Sequence, residues 1–201
     1  MNFSMNYYDD PKNAAEYIKM AEGYDGAHLI DVFKQHLPSG ATVLELGMGP
    51  GVDLEILGRD FQATGSDRAQ PFLDHYRQRH PKADLLLLDA VTLETERRFD
   101  SIYSNKVLHH LTIDELRDSF QRQAELLKPG GMLLHSFWHG NKVEEIAGMR
   151  FFYHTLETLK PLYDANYALL ESGIYAEMET DDSLYVVLRK RNVVPKLPCT
   201  N

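Results

Sequence analysis

Thr42-Val43-Leu44-Glu45-Leu46-Gly47-Met48-Gly49-Pro50-Gly51 is the stretch on which the fold turns. A short apolar run ends in glycines at alternate positions, the pattern of a strand, a tight turn and the start of a helix. Glycine suits such a turn because the backbone reverses sharply and approaches a ligand with no Cβ in the way. A dinucleotide-binding fingerprint would require glycine three places past Gly49, and Val52 stands there instead. In an open α/β sheet this turn lies beyond the carboxyl end of a strand, where ligands bind.

On either side the chain alternates helix and strand. Upstream, Ala14, Tyr17, Ile18 and Ala21 share one helical face behind Pro11, and Leu29, Val32, Phe33, His36 and Leu37 repeat the spacing. Downstream, residues 61–66 read as a second strand ending at Asp67, followed by a helix with Pro71 in its first turn. Residues 84–88 hold four consecutive leucines, the mark of a strand buried on both faces. Residues 99–104 give a fourth strand, and Thr112 with Glu115 forms a capping box ahead of Leu116, Phe120, Ala124 and Leu127. Lys128-Pro129-Gly130-Gly131 is expected to stop that helix before a fifth strand over 132–138. A helix over 155–162 and strands over 167–179 and 183–191 complete the pattern, the last two joined by Thr180-Asp181-Asp182. This alternation predicts a three-layer α/β fold around a mostly parallel seven-stranded sheet that ends in an antiparallel hairpin. The expected organisation is one domain over 1–191, with a helical cap over about 1–38 and a tail over 192–201.

The 201 residues include 30 acidic and 21 basic side chains, a formal net charge of −9. Backbone contacts to nucleic acid need clustered cations, so that balance excludes a broad phosphate-binding face and no nucleic-acid partner is expected. The single cysteine, Cys199, cannot form an internal disulfide, which fits a reducing compartment and a cytoplasmic protein. No run nears the roughly 20 apolar residues that span a bilayer, and residues 1–10 carry no secretory signal, so no membrane partner is expected. The histidines lack a spacing that suits zinc, and no metal is expected.

The glycine stretch resembles motif I of the class I S-adenosylmethionine-dependent methyltransferases, commonly E/D-x-G-x-G-x-G or a shortened form. Glu45, Gly47, Gly49 and Gly51 take the motif's places. Asp67 stands where the family puts an acid on the adenosine ribose hydroxyls, and a carboxylate can accept both protons. Asp89-Ala90 resembles the family's pair that meets the adenine, and Asn105 matches a position whose backbone meets the methionine end. Leu127-Lys128-Pro129-Gly130-Gly131 resembles the family's turn into the fifth strand. The marks follow the family's order. The resemblance implies a Rossmann-like fold, S-adenosylmethionine as cofactor with S-adenosylhomocysteine as product, no metal, and in-line methyl transfer to a small-molecule acceptor.

In-line transfer asks mainly for positioning, and a base is needed only when the nucleophile arrives protonated. His109 and His110, after the fourth strand, are the catalytic candidates, since histidine titrates near neutrality. Tyr8 near the N-terminus, Trp138 and His139 at the end of the fifth strand, and Tyr153 beyond it are the acceptor-binding candidates. Aromatic faces of this kind hold a planar or cationic group, and family members often roof the acceptor pocket with these segments. Asn105 is followed by Lys106 and Val107, unlike the motif of adenine-amino methyltransferases. Cys199 does not suit the thiolate route to cytosine carbon 5, and Ser136-Phe137-Trp138 lacks the Asp-Asn pair of metal-dependent catechol-type enzymes. A small-molecule acceptor is what remains. Two other readings stay open: a cofactor-binding module without catalysis, acting as sensor or partner subunit, and a nicotinamide-dependent oxidoreductase, against which Val52 and Asp89-Ala90 speak.

Overall fold

The computed structural model describes residues 7–192; the expected tail beyond Asn192, Cys199 included, lies outside the described residues. In chain order the helices are α1 (Pro11–Met20), α2 (Ala27–Lys34), α3 (Val52–Leu57), α4 (Gln70–Arg79), α5 (Ile113–Leu126) and α6 (Leu156–Tyr163). The strands are β1 (Thr42–Leu46), β2 (Gln62–Asp67), β3 (Leu85–Leu87), β4 (Phe99–Ser104), β5 (Leu127–Trp138), β6 (Val143–Ile146), β7 (Met149–Phe152), β8 (Tyr167–Tyr175) and β9 (Ser183–Lys190). Local chemistry sets several boundaries. Asp10 caps α1 ahead of Pro11, and at α5 Thr112 and Glu115 satisfy each other's free N–H groups.

Seven strands form one sheet in the order β3-β2-β1-β4-β5-β9-β8. β1 to β5 are parallel, while β9 runs antiparallel between β5 and β8. From β1 the chain moves outward to β2 and β3, then returns to place β4 on β1's other side. Strand order therefore reverses between β1 and β4, which makes their carboxyl ends the binding crevice of the sheet. One face of the sheet packs on α5 and α6 through Leu133, Phe137, Leu116, Phe120 and Leu159. The other packs on α2 through Leu29, Ile30 and Phe33, against Val43, Tyr103 and Leu134.

Four features depart from the sequence pattern. The leucine run is not buried on both faces: β3 is an edge strand, and Leu87 is 58% exposed while Leu85 and Leu88 are buried. Edge position removes the cover that an internal strand has. In urea unfolding, Leu87→Thr is expected to change stability by no more than about 0.5 kcal/mol, whereas Leu88→Ala should cost about 2–4 kcal/mol.

α5 ends at Leu126, ahead of Lys128-Pro129-Gly130-Gly131 as expected, but β5 already begins at Leu127 rather than at Met132. Leu127 pairs with Phe99, and the ladder then shifts register before Ser101 pairs with Met132. Residues 139–154, expected only as a roofing segment, contain a second sheet, the β6–β7 hairpin. The last strand pair is also shorter than its pattern. β8 ends at Tyr175 because the Asp182 carboxylate accepts the backbone N–H groups of Glu177, Met178 and Glu179, at 2.9 Å each.

Candidate functional site

The crevice floor is the turn after β1. Gly47 and Gly49 both sit in the left-handed region, at φ +65° and +49°. The Gly49 N–H donates to Asp67 Oδ2 at 3.0 Å, and Asp67 Oδ1 accepts from Ala69 N–H at 2.9 Å. Burial pushes the Asp67 carboxyl up to about 6, against the pull of those backbone donors. Glu45 is 3% exposed, and its Oε2 is buried without a hydrogen-bond partner. Burial, then the neighbouring charges of Asp53 and Asp67, hold Glu45 well above the usual carboxylate range. A cationic ligand would relieve both.

Further along the crevice, Asp89 Oδ1 accepts from Val91 N–H at 2.7 Å. A buried polar chain reaches the neighbouring Ala90. Ser119 Oγ donates to the Ala90 carbonyl at 2.6 Å, and Gln123 Nε2 donates to Ser119 Oγ at 3.0 Å. His135 Nε2 lies 2.8 Å from Gln123 Oε1, and Ser104 Oγ lies 2.8 Å from His135 Nδ1. Because an amide oxygen only accepts, His135 carries its proton on Nε2 and takes the Ser104 hydroxyl proton at Nδ1. Burial drives His135 down to about 3, so it stays neutral. The loop expected to meet the adenine is thus tied across α5 and β5 to the last residue of β4.

Asn105 follows β4, and its side chain is already engaged. Its Nδ2 donates to Asp53 Oδ2 at 3.2 Å, and its Oδ1 accepts from Ser136 Oγ at 2.5 Å. Asp53 also accepts from Gly26 N–H at 2.6 Å and from the Tyr103 hydroxyl at 2.8 Å. What Asn105 can offer a ligand is backbone. From the opposite wall Tyr17 on α1 covers the turn: a Cβ at Gly49 would meet its ring at 3.6 Å. Burial, then the negative charges of Asp67, Glu177 and Asp53, push the Tyr17 hydroxyl up. Tyr8 packs on Tyr17 and Phe72, with ring centroids 5.1 and 5.4 Å apart.

Trp138 and Tyr153 lie together, 6.3 Å apart and nearly parallel, and His109 tilts toward Trp138 at 6.2 Å. Lys106 Nζ sits 3.4 Å from the Trp138 ring centre and is held by Glu177 at 2.7 Å and Ser183 Oγ at 2.6 Å. His139 is turned elsewhere: its Nδ1 donates to the Asp181 carbonyl at 2.9 Å and its N–H to the Asp182 carbonyl at 2.7 Å. The Tyr153 hydroxyl donates to Glu144 at 2.8 Å. Among the described residues no cluster of three or more His, Cys, Asp or Glu could hold a metal ion, and no helix is long and apolar enough to cross a membrane.

Residues 43–131 match the family model of the methyltransferase domain. That stretch is similar to methyltransferase domains, and the fold is that of class I S-adenosylmethionine-dependent methyltransferases. A mouse relative, tRNA (carboxymethyluridine(34)-5-O)-methyltransferase ALKBH8, is 36% identical over 53% of this chain and 16% of that protein. Trans-aconitate 2-methyltransferase of Variovorax paradoxus is 34% identical over 48% of this chain and 38% of that protein. The chain thus matches well under half of either relative's length. Among solved structures, Burkholderia thailandensis 1,6-didemethyltoxoflavin-N1-methyltransferase, with its substrate and S-adenosylhomocysteine bound, shares the fold. Its TM-score is 0.76 at 21% identity, over 93% of this chain and 84% of that one. The N-methyltransferase NodS from Bradyrhizobium japonicum, also with S-adenosylhomocysteine, gives 0.66 at 19% identity, over 82% of this chain and 85% of that one.

Within this methyltransferase domain, residues outside the motifs help to build the crevice. Asp53 reads locally as an ordinary acid in the first turn of a helix, and only the fold brings Gly26, Tyr103 and Asn105 to it. Ser119 and Gln123 did carry a signal, because they interrupt the apolar face of α5 at helical spacing.

Proposed function

We propose that this chain transfers a methyl group from S-adenosylmethionine to a small-molecule acceptor in the cytoplasm. The observation that carries it is Glu45 Oε2, buried and unpartnered at the crevice beside Asp67. A buried carboxylate with no internal partner fits a cationic ligand, and S-adenosylmethionine carries positive charge at sulfur and at its amino group. When bound, it supplies a methyl already activated by the positive sulfur. Asp67 would take the ribose hydroxyls, Gly47 and Gly49 would admit close backbone approach, and Gly51 would complete the turn. Asp89 and Ala90 would meet the adenine, and the Asn105 backbone the methionine end. Tyr17 excludes water from above the turn. Trp138 and Tyr153, with Tyr8 from the cap, would offer the acceptor aromatic faces, and His109 with His110 a site for its proton.

The small-molecule reading rests on charge. Thirty acidic against 21 basic residues leave no broad cationic face for tRNA, and the tRNA-modifying mouse relative is matched over only 16% of its length.

Calorimetry with S-adenosylhomocysteine tests the cofactor half. The intact chain should bind it, and Asp67→Ala should weaken binding at least about tenfold, the scale of lost hydrogen bonds to a charged group. No binding by the intact chain would end the proposal. Binding without turnover of any acceptor would leave the non-catalytic module.

A further inference from the structure

His109 and His110 occupy a 3-10 turn (Leu108–His110) just past β4. Two contacts decide where their protons lie. His110 Nδ1 is 2.9 Å from the backbone carbonyl of Arg150, on β7 of the hairpin. A carbonyl only accepts, so His110 Nδ1 carries a proton. A neutral His110 then presents a lone pair at Nε2, and that atom lies 3.2 Å from His109 Nε2. His109 must therefore donate from Nε2, which leaves its Nδ1 as a lone pair. This Nδ1 is buried, has no partner in the chain, and belongs to a residue only 2% exposed.

A buried polar atom left unmatched is uncommon in folded proteins and calls for a group that the chain does not supply. The His109 ring is bracketed by Trp138 and by Phe151 of the hairpin, at 6.2 and 5.4 Å, on the carboxyl side of β4 and β5. That is the side on which the acceptor is expected. We propose that the β6–β7 hairpin sets the working tautomer of His109: the Arg150 carbonyl fixes His110, His110 fixes His109, and His109 Nδ1 receives the proton of an acceptor hydroxyl or amine. The inference rests on the methyltransferase reading for the identity of the proton donor. In this step the acceptor's O–H or N–H bond breaks and the proton bonds to Nδ1. The electron pair stays on the acceptor atom.

The surroundings keep the nitrogen free. Burial first, then the neighbouring His110, Lys106 and His154, hold His109 well below the usual histidine range, so it remains neutral at physiological pH. His110 is also shifted down by burial. Two protons facing each other across the Nε2 atoms would clash, so the pair can take up a proton only at His109 Nδ1. A carboxylate acceptor, which arrives without a proton and presents lone pairs, is disfavoured here. His110 is a positioning residue in this scheme.

The test is nitrogen-15 NMR of the imidazoles in the full chain, with S-adenosylhomocysteine binding measured on the same sample. The expected pattern is His109 protonated at Nε2 and His110 at Nδ1, with His109 Nδ1 the first of the pair to titrate as pH falls. His110→Ala should blur the His109 tautomer. His110→Gln, which offers an amide oxygen to His109 and an amide N–H to Arg150, should preserve it. Turnover gives the second readout, on a panel of amines, hydroxyls and carboxylates that includes trans-aconitate. His109→Asn should lower kcat on a proton-bearing acceptor by about a hundredfold, the scale of general-base loss. His110→Ala should lower it and His110→Gln restore it, all with S-adenosylhomocysteine affinity unchanged within about twofold. A chain that binds S-adenosylhomocysteine but holds His109 as the Nδ1–H form, or takes its first proton at His110, overturns this inference alone. Turnover of carboxylates indifferent to His109→Asn also overturns it. Failure to bind S-adenosylhomocysteine sinks the parent reading instead.

Discussion

The ligand-free chain is expected to lose about 3 kcal/mol of stability between pH 7 and pH 5, about 1.4 kcal/mol for each unit by which a group's pKa differs between the folded and unfolded states. Two buried histidines drive the loss. Burial takes His135 from 6.5 to about 3 and His154 from 6.5 to about 4. Each is neutral when folded, so its contribution is fully present above 6.5 and declines as pH falls toward the folded value. Between pH 7 and 5 each loses about 2 kcal/mol. Asp67 opposes them. Its folded value of about 6 exceeds 3.8, so the folded state binds its proton more readily and gains as pH falls. Over the same interval that gain is only about 1 kcal/mol, and the histidines win. His109, held low by burial and by its cationic or titratable neighbours, pulls in the histidines' direction, while Glu45 pulls with Asp67. Urea unfolding at half-unit pH steps measures the slope. His135→Gln keeps a donor and an acceptor between Gln123 and Ser104 yet cannot titrate, so it should flatten the curve by about 2 kcal/mol. A curve that is flat in wild type, or unchanged in His135→Gln, contradicts the assignment.

How much of this was readable from sequence follows the range of the interactions. The β1 run and its glycines are local signals, and so is the Thr112–Glu115 box; both stand where their patterns put them. The β6–β7 hairpin was not readable. Its turn uses Ala147 and Gly148 at φ +52° and +78°, and alanine in the left-handed region carries no turn signal of the kind that Asn-Gly would. Neither was the edge position of β3, because four leucines look alike whether a neighbour covers them or not. His109 and His110 were visible as candidates by residue type. Their proton positions depend on the Arg150 carbonyl, supplied by that unread hairpin. Cofactor residues near their own strands were thus accessible from spacing, while the acceptor side is built from long-range contacts.

The two later glycines of the turn should separate fold from binding. Gly51 caps α3 at φ +85°, and a Cβ there would collide with the Tyr76 ring and approach Met48 Cε at 3.1 Å. Left-handed backbone costs an alanine about 1–2 kcal/mol, and forcing a methyl into packed side chains adds about 1–3 kcal/mol. Gly51→Ala should therefore destabilise by roughly 3 kcal/mol. Only the collision is removable: in the Gly51→Ala/Tyr76→Ala double variant the costs should fall short of additivity by about 1–3 kcal/mol. Gly49, at φ +49°, behaves differently because its Cβ would find only the Tyr17 ring, at ordinary contact distance. Gly49→Ala should lose just the backbone term of about 1–2 kcal/mol. Its methyl would nevertheless stand in the crevice under Tyr17, and S-adenosylhomocysteine affinity should fall more than about tenfold, the effect of a shape clash within a fitted pocket. Urea titration and calorimetry on the single variants read the two effects separately. Equal stability losses at both positions would contradict the collision at Gly51, and full affinity in Gly49→Ala would mean that the crevice beneath Tyr17 is not where the ligand lies.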